Sequence, residues 1–118
     1  MPLIQIRRRT SKFGGHFCKE IGKALPAVAA AALTCEEGGK LDPHDVMIEF
    51  DDMGDADVNC KDIHVRVWAH DYVARRRDLD VIRKTISDEV IKHLPEGVSW
   101  YVWLLLAPTS YGSDTGDK

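Results

Sequence analysis

The chain has 118 residues, enough for one domain with a hydrophobic core and too few for two domains of ordinary size. Its 16 Lys and Arg against 19 Asp and Glu give a formal charge of −3, which argues against a general binder of nucleic acid or of anionic membranes. The longest apolar runs are too short to span a bilayer and no stretch resembles a signal peptide, so we expect a cytoplasmic protein.

The spacing of cysteines and histidines predicts neither disulfides nor a metal site. Cys18, Cys35 and Cys60 are widely separated and form no CxxC pair, so we expect reduced thiols. His64 and His70 share one face of a predicted strand, but six residues of extended chain separate them by roughly 20 Å, too far to bind one metal ion.

The first half of the chain predicts a β-α-β unit. Apolar and polar residues alternate over 3–9 and again over 46–51, which indicates two strands. Helix-forming residues over about 17–33 indicate a helix between them. Pro26 either kinks this helix or, as we expect, opens the main helix in its first turn after a short preceding segment.

The second half predicts the same order of elements. The clearest alternation in the chain, over 63–70, indicates a strand. Asp78 is expected to cap a helix whose apolar stripe runs over 79–94 at steps of three and four residues. The apolar, aromatic-rich run 98–107 indicates a final strand.

These elements predict an α+β fold made of two consecutive β-α-β units, in a single domain over 1–109 with a polar tail at 110–118. Right-handed crossovers make the two strands of each half parallel and place both helices on one face of a four-stranded mixed sheet. A ferredoxin-like binding module has the same order of elements, so strand order must separate the two folds.

The other face of this sheet is expected to be covered by subunit packing, because it is too aromatic for water and too charged for a dry core. Arg7, Glu49 and Arg66 are expected to pair across strands there. The residues predicted to share this face are Gln5, Arg7, Met47, Glu49, His64, Arg66, Trp68, His70, Tyr101 and Trp103.

Pro2 stands at the start of the first predicted strand. If Met1 is removed, Pro2 carries a secondary α-amine, which partial burial or nearby cations can bring to titrate near neutral pH. Such a nitrogen can act as a general base, although proline is also tolerated at the first position of a strand for structural reasons alone.

A Met-Pro strand followed by two β-α-β halves resembles the tautomerase superfamily, which includes 4-oxalocrotonate tautomerase, 5-carboxymethyl-2-hydroxymuconate isomerase and macrophage migration inhibitory factor. The passages 63–68 and 106–111 look most like a bacterial branch known only as a domain of unknown function. The resemblance implies a homotrimer without a cofactor. It also implies that Pro2 moves a proton while cations hold the carboxylate of a small substrate.

The resemblance transfers unevenly to the cationic residues. Lys12 falls near the family's first arginine, whereas Met47 and Ser99 fall where its second arginine is expected. Arg77, just before the second helix, matches the arginine of the isomerase. We also expect Tyr101 and Trp103 to line a pocket wall near Pro2. The predicted substrate-binding residues are Arg75, Arg76, Arg77, Lys12, Tyr101, Trp103 and Tyr111.

Three functions remain open from the sequence. The first is a tautomerase or isomerase acting on a 2-hydroxydienoate or an α-keto acid. The second is a non-catalytic oligomeric protein on the same scaffold, suggested by Met47 and Ser99. The third is the ferredoxin-like binding module.

Overall fold

The computed structural model describes residues 1–110, 112 and 113, and these residues contain four strands and three α-helices. Among these residues, no helix is both long and apolar enough to cross a membrane. A single 3₁₀ turn, Pro43–Asp45, precedes the second strand. The elements are β1 (Leu3–Arg8), α1 (Gly15–Leu33), β2 (Met47–Asp52), β3 (Ile63–His70), α2 (Val73–Arg77), α3 (Leu79–Lys92) and β4 (Trp100–Ala107).

The four strands form one mixed sheet in the order β2-β1-β3-β4. β1 is parallel to β2 and β3 is parallel to β4, while the two halves meet through the antiparallel pair β1 and β3. The predicted pair of β-α-β units is therefore confirmed. The ferredoxin-like alternative is wrong, because in that fold β1 would not pair in parallel with β2.

The hydrophobic core lies between the sheet and the helices α1 and α3. Alternate residues of β1 and β3 are fully buried on this face, and α1 and α3 contribute apolar residues at helical spacing. Burying each large apolar side chain stabilises the fold by up to about 1.5–3 kcal/mol. Core residues of these four elements include Ile4, Ile6, Val65, Val67, Ile21, Leu25, Ile82 and Ile86.

Helix α1 is continuous through Pro26, so our expectation that this proline opens the main helix is wrong. Proline inside a helix removes one backbone hydrogen bond and costs about 3 kcal/mol. Ile21, Leu25 and Leu33 lie on both sides of Pro26 and are all fully buried. Burial of this unbroken apolar stripe outweighs the local cost of the proline.

The three consecutive arginines form their own short helix, α2, rather than the loop that a run of charge usually indicates. Asp78 occupies the N-cap of α3 as predicted, but its side chain makes no capping hydrogen bond. Its carboxylate instead accepts two hydrogen bonds from the guanidinium of Arg77.

The second face of the sheet carries the side chains predicted for it and is partly open to water. The indole Nε1 of Trp68 donates a hydrogen bond to Oε1 of Gln5 across the strands, at 2.9 Å. The predicted pairing of Arg7 with Glu49 is not found, since Arg7 forms its ion pair with Asp57 at 2.9 Å, from the loop after β2. A cavity of about 340 Å³ lies on this face.

Candidate functional site

Pro2 is buried at the point where the chain enters the sheet. Its carbonyl accepts a hydrogen bond of 3.0 Å from the backbone N–H of Met47 and so extends the pairing of β1 with β2. Met1, directly before it, is 56% exposed. The nitrogen of Pro2 therefore lies at the edge of the core, next to a residue that water reaches.

Strand pairing determines what surrounds Pro2. Leu3 lies opposite Trp68 in the antiparallel pair of β1 with β3. Continuing this register places Pro2 opposite Ala69 and Met1 opposite His70. The end of β3 and the beginning of α2 therefore lie at the same edge of the sheet as Pro2.

Arg75 is buried and fastens three elements together at this edge; 4% of its surface is exposed. Its Nε donates to the carbonyl oxygen of Leu33 at 2.9 Å, and its Nη1 donates to the carbonyl oxygen of His70 at 3.1 Å. Its guanidinium carbon lies 4.9 Å from the ring centroid of Tyr72. Arg75 thus joins the last turn of α1 to the end of β3.

Arg76 and Arg77 point to solvent and pair with neighbouring carboxylates. Arg76 donates two hydrogen bonds of 3.1 Å to Asp71, and Arg77 donates two of 3.3 and 3.1 Å to Asp78. The hydrogen bond from Arg77 lowers the pKa of Asp78. Exposed pairs of this kind contribute only about 0–1 kcal/mol, so an incoming anion can compete for either arginine.

A cavity of about 480 Å³ lies beside α2, against the segment that follows α1. Both Arg75 and Arg77 line it, together with Thr34, Cys35 and Glu36. Of the three consecutive arginines, Arg77 combines an exposed guanidinium with a place on a cavity wall.

Lys12 and Tyr101 lie at the opposite end of the sheet from Pro2 within one chain. Lys12 follows the end of β1 and lines a separate cavity of about 320 Å³. Tyr101 pairs with His64 at the beginning of β3, and their rings meet edge to face at 4.2 Å. The antiparallel arrangement of β1 and β3 accounts for this separation.

Trp103 lies in the middle of the open sheet face, opposite Arg66, and is half exposed. Its ring packs edge to face against that of Tyr101, with centroids 4.8 Å apart. Tyr111, a predicted substrate-binding residue, lies outside the described residues.

Neither Met47 nor Ser99 has the positively charged side chain that the resemblance implies at these positions. Met47 lies on the edge strand β2 and is about half exposed. Ser99 fastens the beginnings of β3 and β4 together: its N–H donates to Oδ2 of Asp62 at 3.1 Å, and its Oγ accepts from the N–H of Asp62 at 2.9 Å. The backbone hydrogen bond from Ser99 is the main cause that lowers the pKa of Asp62.

His70 was considered from the sequence as a metal ligand and as a residue of the open sheet face, and in the structure it makes several contacts at the Pro2 edge. Its Nδ1 lies 3.1 Å from the backbone N of Thr109, which donates to it, and 3.0 Å from Oγ1 of the same residue. Its ring meets that of Tyr72 at 4.6 Å, and Arg75 binds its carbonyl. The pairing of β1 with β3, unknown at the level of sequence, is the signal that would have singled it out.

In the part of the chain that the structure describes, no group of three or more His, Cys, Asp or Glu side chains is arranged to hold a metal ion.

Comparison with known proteins identifies the fold and no sequence relative. No protein-family model matches the sequence, and no curated protein matches it. A protein of unknown function from Vibrio cholerae O1 biovar eltor superposes with a TM-score of 0.67 at 15% identity, over 96% of this chain and 84% of that one. A fused 4-OT, described as a wild-type symmetric trimer, gives 0.63 at 15% identity, over 97% and 92%. A domain of unknown function from Sebaldella termitidis gives 0.58 at 14% identity, over 97% and 96%.

The chain has the fold of the tautomerase superfamily. The resemblance inferred from the Met-Pro strand and the two β-α-β halves is thereby confirmed at the level of the fold. This fold is shared with bacterial proteins of unknown function as well as with 4-OT.

Proposed function

We propose that the protein, once Met1 is removed, is a cofactor-independent tautomerase or isomerase that moves a proton in a small 2-hydroxydienoate or α-keto acid. The observation that carries this proposal is the position of Pro2. It lies buried at the entrance of the first strand of a tautomerase fold, next to the exposed Met1.

Pro2 is proposed as the general base. An α-amine has an ordinary pKa of about 7.7–8, and burial lowers the pKa of an amine because it disfavours the charged form. Such a nitrogen takes up the enol O–H proton of the substrate. The electrons of that O–H bond form the ketone C=O, and the C=C electrons form a new C–H bond with the proton that Pro2 returns.

Arg77 is proposed to hold the substrate carboxylate, with Arg76 beside it. Both guanidinium groups are exposed and present the paired N–H donors that match a carboxylate, and the carboxylates that pair with them are partly open to water. Positive charge near the reacting oxygen stabilises the enolate that forms in the transition state.

The proposed assembly is a homotrimer in which copies of the chain cover the open sheet face. The fused 4-OT of the same fold is a symmetric trimer. Lys12, Tyr101 and Trp103 lie away from Pro2 in their own chain, so they contribute to the proposed site when a neighbouring copy presents them. Sedimentation equilibrium of the full chain measures the assembly directly.

The test combines intact mass with a ketonisation assay. Intact mass spectrometry of protein expressed without a tag establishes whether Met1 is absent. The rate at which phenylenolpyruvate converts to phenylpyruvate is then measured. We expect activity in protein that begins at Pro2 and its loss in Pro2→Ala, with the oligomer retained. Full activity in a correctly processed Pro2→Ala protein excludes Pro2 as the base.

A second candidate function is a non-catalytic oligomeric binding protein on the same scaffold. It is favoured by Met47 and Ser99, which stand where the resemblance leads us to expect arginine, and by the carboxylates that already occupy Arg76 and Arg77. Native protein that still begins with Met1 lacks a basic nitrogen at Pro2 and supports this candidate over the first.

A further inference from the structure

Thr109 and Tyr72 hold the imidazole of His70 in place. The segment after β4 contributes Thr109, whose N–H and Oγ1 both lie near Nδ1 at 3.1 and 3.0 Å. Tyr72 packs against the ring edge to face, and Arg75 donates a hydrogen bond to the backbone carbonyl of His70. A side chain restrained on two sides, on a backbone that is itself bound, keeps a defined orientation without a ligand.

The contact with Thr109 also decides the tautomer. A backbone N–H can only donate, so Nδ1 of His70 accepts, and the ring proton is carried by Nε2. Within the described residues Nε2 has no hydrogen-bond partner. His70 therefore presents one N–H donor with a fixed direction and no internal acceptor.

Met1 is the residue that the strand register places opposite His70, since Leu3 lies opposite Trp68. β1 itself begins at Leu3, so this position follows from continuing the register by two residues. Removal of Met1 vacates this position and at the same time creates the amine of Pro2. The vacated space then lies between the new amine and the imidazole.

We infer that His70 is a catalytic group of this site: its Nε2–H donates a hydrogen bond to the carboxylate or enolate oxygen of the substrate whose proton Pro2 moves. The inference rests on the proposed function. It supplies a donor at the Pro2 edge, where Met47 provides no cation, and it accounts for the contacts that Thr109 and Tyr72 make with the ring. A preorganised donor aimed at developing negative charge is among the strongest contributions that a protein makes to such reactions.

Two substitutions separate the two nitrogens of the ring. In His70→Asn the amide oxygen takes the place of Nδ1 and still accepts from Thr109, but the donor at Nε2 is lost. In His70→Gln the amide nitrogen reaches the place of Nε2 and still donates, but the contact with Thr109 is lost. His44→Gln, at an exposed histidine of the 3₁₀ turn, is the control.

We expect His70→Asn to lower kcat for phenylenolpyruvate by about 100-fold, the loss typical of one such donor, while His70→Gln stays within about tenfold of wild type. Wild-type rates in both variants overturn the inference. Loss in His70→Gln with activity kept in His70→Asn also overturns it, because His70 would then only anchor Thr109.

Binding is measured separately from turnover, so that this inference and the role of Pro2 can fail independently. The ¹⁵N signals of the His70 ring are followed while phenylpyruvate is added to Pro2→Ala protein lacking Met1. The His70→Asn protein, which lacks this ring, assigns the signal, and a shift of the assigned Nε2 signal supports the donor role even if Pro2 is not the base. Unmoved ring signals at millimolar phenylpyruvate overturn it, whatever the activity of the enzyme.

Discussion

Arg75 is expected to be among the most costly polar side chains to remove, although it lies in a run of three arginines. Arg75→Met keeps a long side chain but loses two hydrogen bonds from a charged group, to Leu33 and His70, and the contact with the ring of Tyr72. Bonds to charged groups contribute about 1.5–3 kcal/mol each. Taking the lower figure, because removal also relieves the cost of burying a charge, the free energy of unfolding should fall by about 3 kcal/mol.

Arg76→Met is the matched control for this measurement. Its ion pair with Asp71 is exposed and should contribute no more than about 1 kcal/mol. Urea unfolding followed by circular dichroism, at one protein concentration because subunits can associate, gives both values. If Arg75→Met loses no more stability than Arg76→Met, the buried arginine does not join α1 to β3 as we argue.

Two further predictions concern stability. Burial, together with nearby positive charge, lowers the pKa of His64 below its ordinary 6.5, so folding favours the uncharged ring. The stability that this preference contributes above pH 6.5 is lost as the pH falls. Unfolding free energies between pH 7.5 and 5.5 should therefore decline less in His64→Gln than in wild type or the control His44→Gln, and equal slopes would contradict the reasoning. Gly38→Ala should lower the melting temperature, because its new Cβ would lie 2.7 Å from the ring of Tyr72. Gly22→Ala, with nothing within 4 Å, is its control, and equal effects on melting would show that Tyr72 yields easily.

The sequence predicted those parts of the fold in which hydrophobic alternation is strong. The strand expected over 63–70 is found as Ile63–His70, because every second residue of it is buried. The expectation that Pro26 opens the main helix was wrong because local helix propensity does not include the apolar surface that a continuous helix buries. Helix α2 escaped prediction because five residues carry too little periodicity.

The candidate site was only partly predictable, since it depends on long-range pairing. Pro2 and Arg77 could be named from their positions in the sequence. The role that we infer for His70 follows from the pairing of β1 with β3, which joins residues 55 to 65 positions apart. The burial of Arg75 was equally hidden, because an arginine in a charge run is normally exposed.

The position of β4 at one edge of the sheet has a consequence for the order in which the protein folds during synthesis. β3, whose alternate residues are buried in the core, has β1 on one side and β4 on the other. Until Trp100–Ala107 leaves the ribosome, the second side of β3 presents unpaired backbone groups, which readily template pairing with another chain. β4 itself carries no charged residue that would discourage such pairing. A nascent chain is thus most vulnerable to aggregation just before its last strand arrives, and truncation ahead of Trp100 would make that vulnerability permanent.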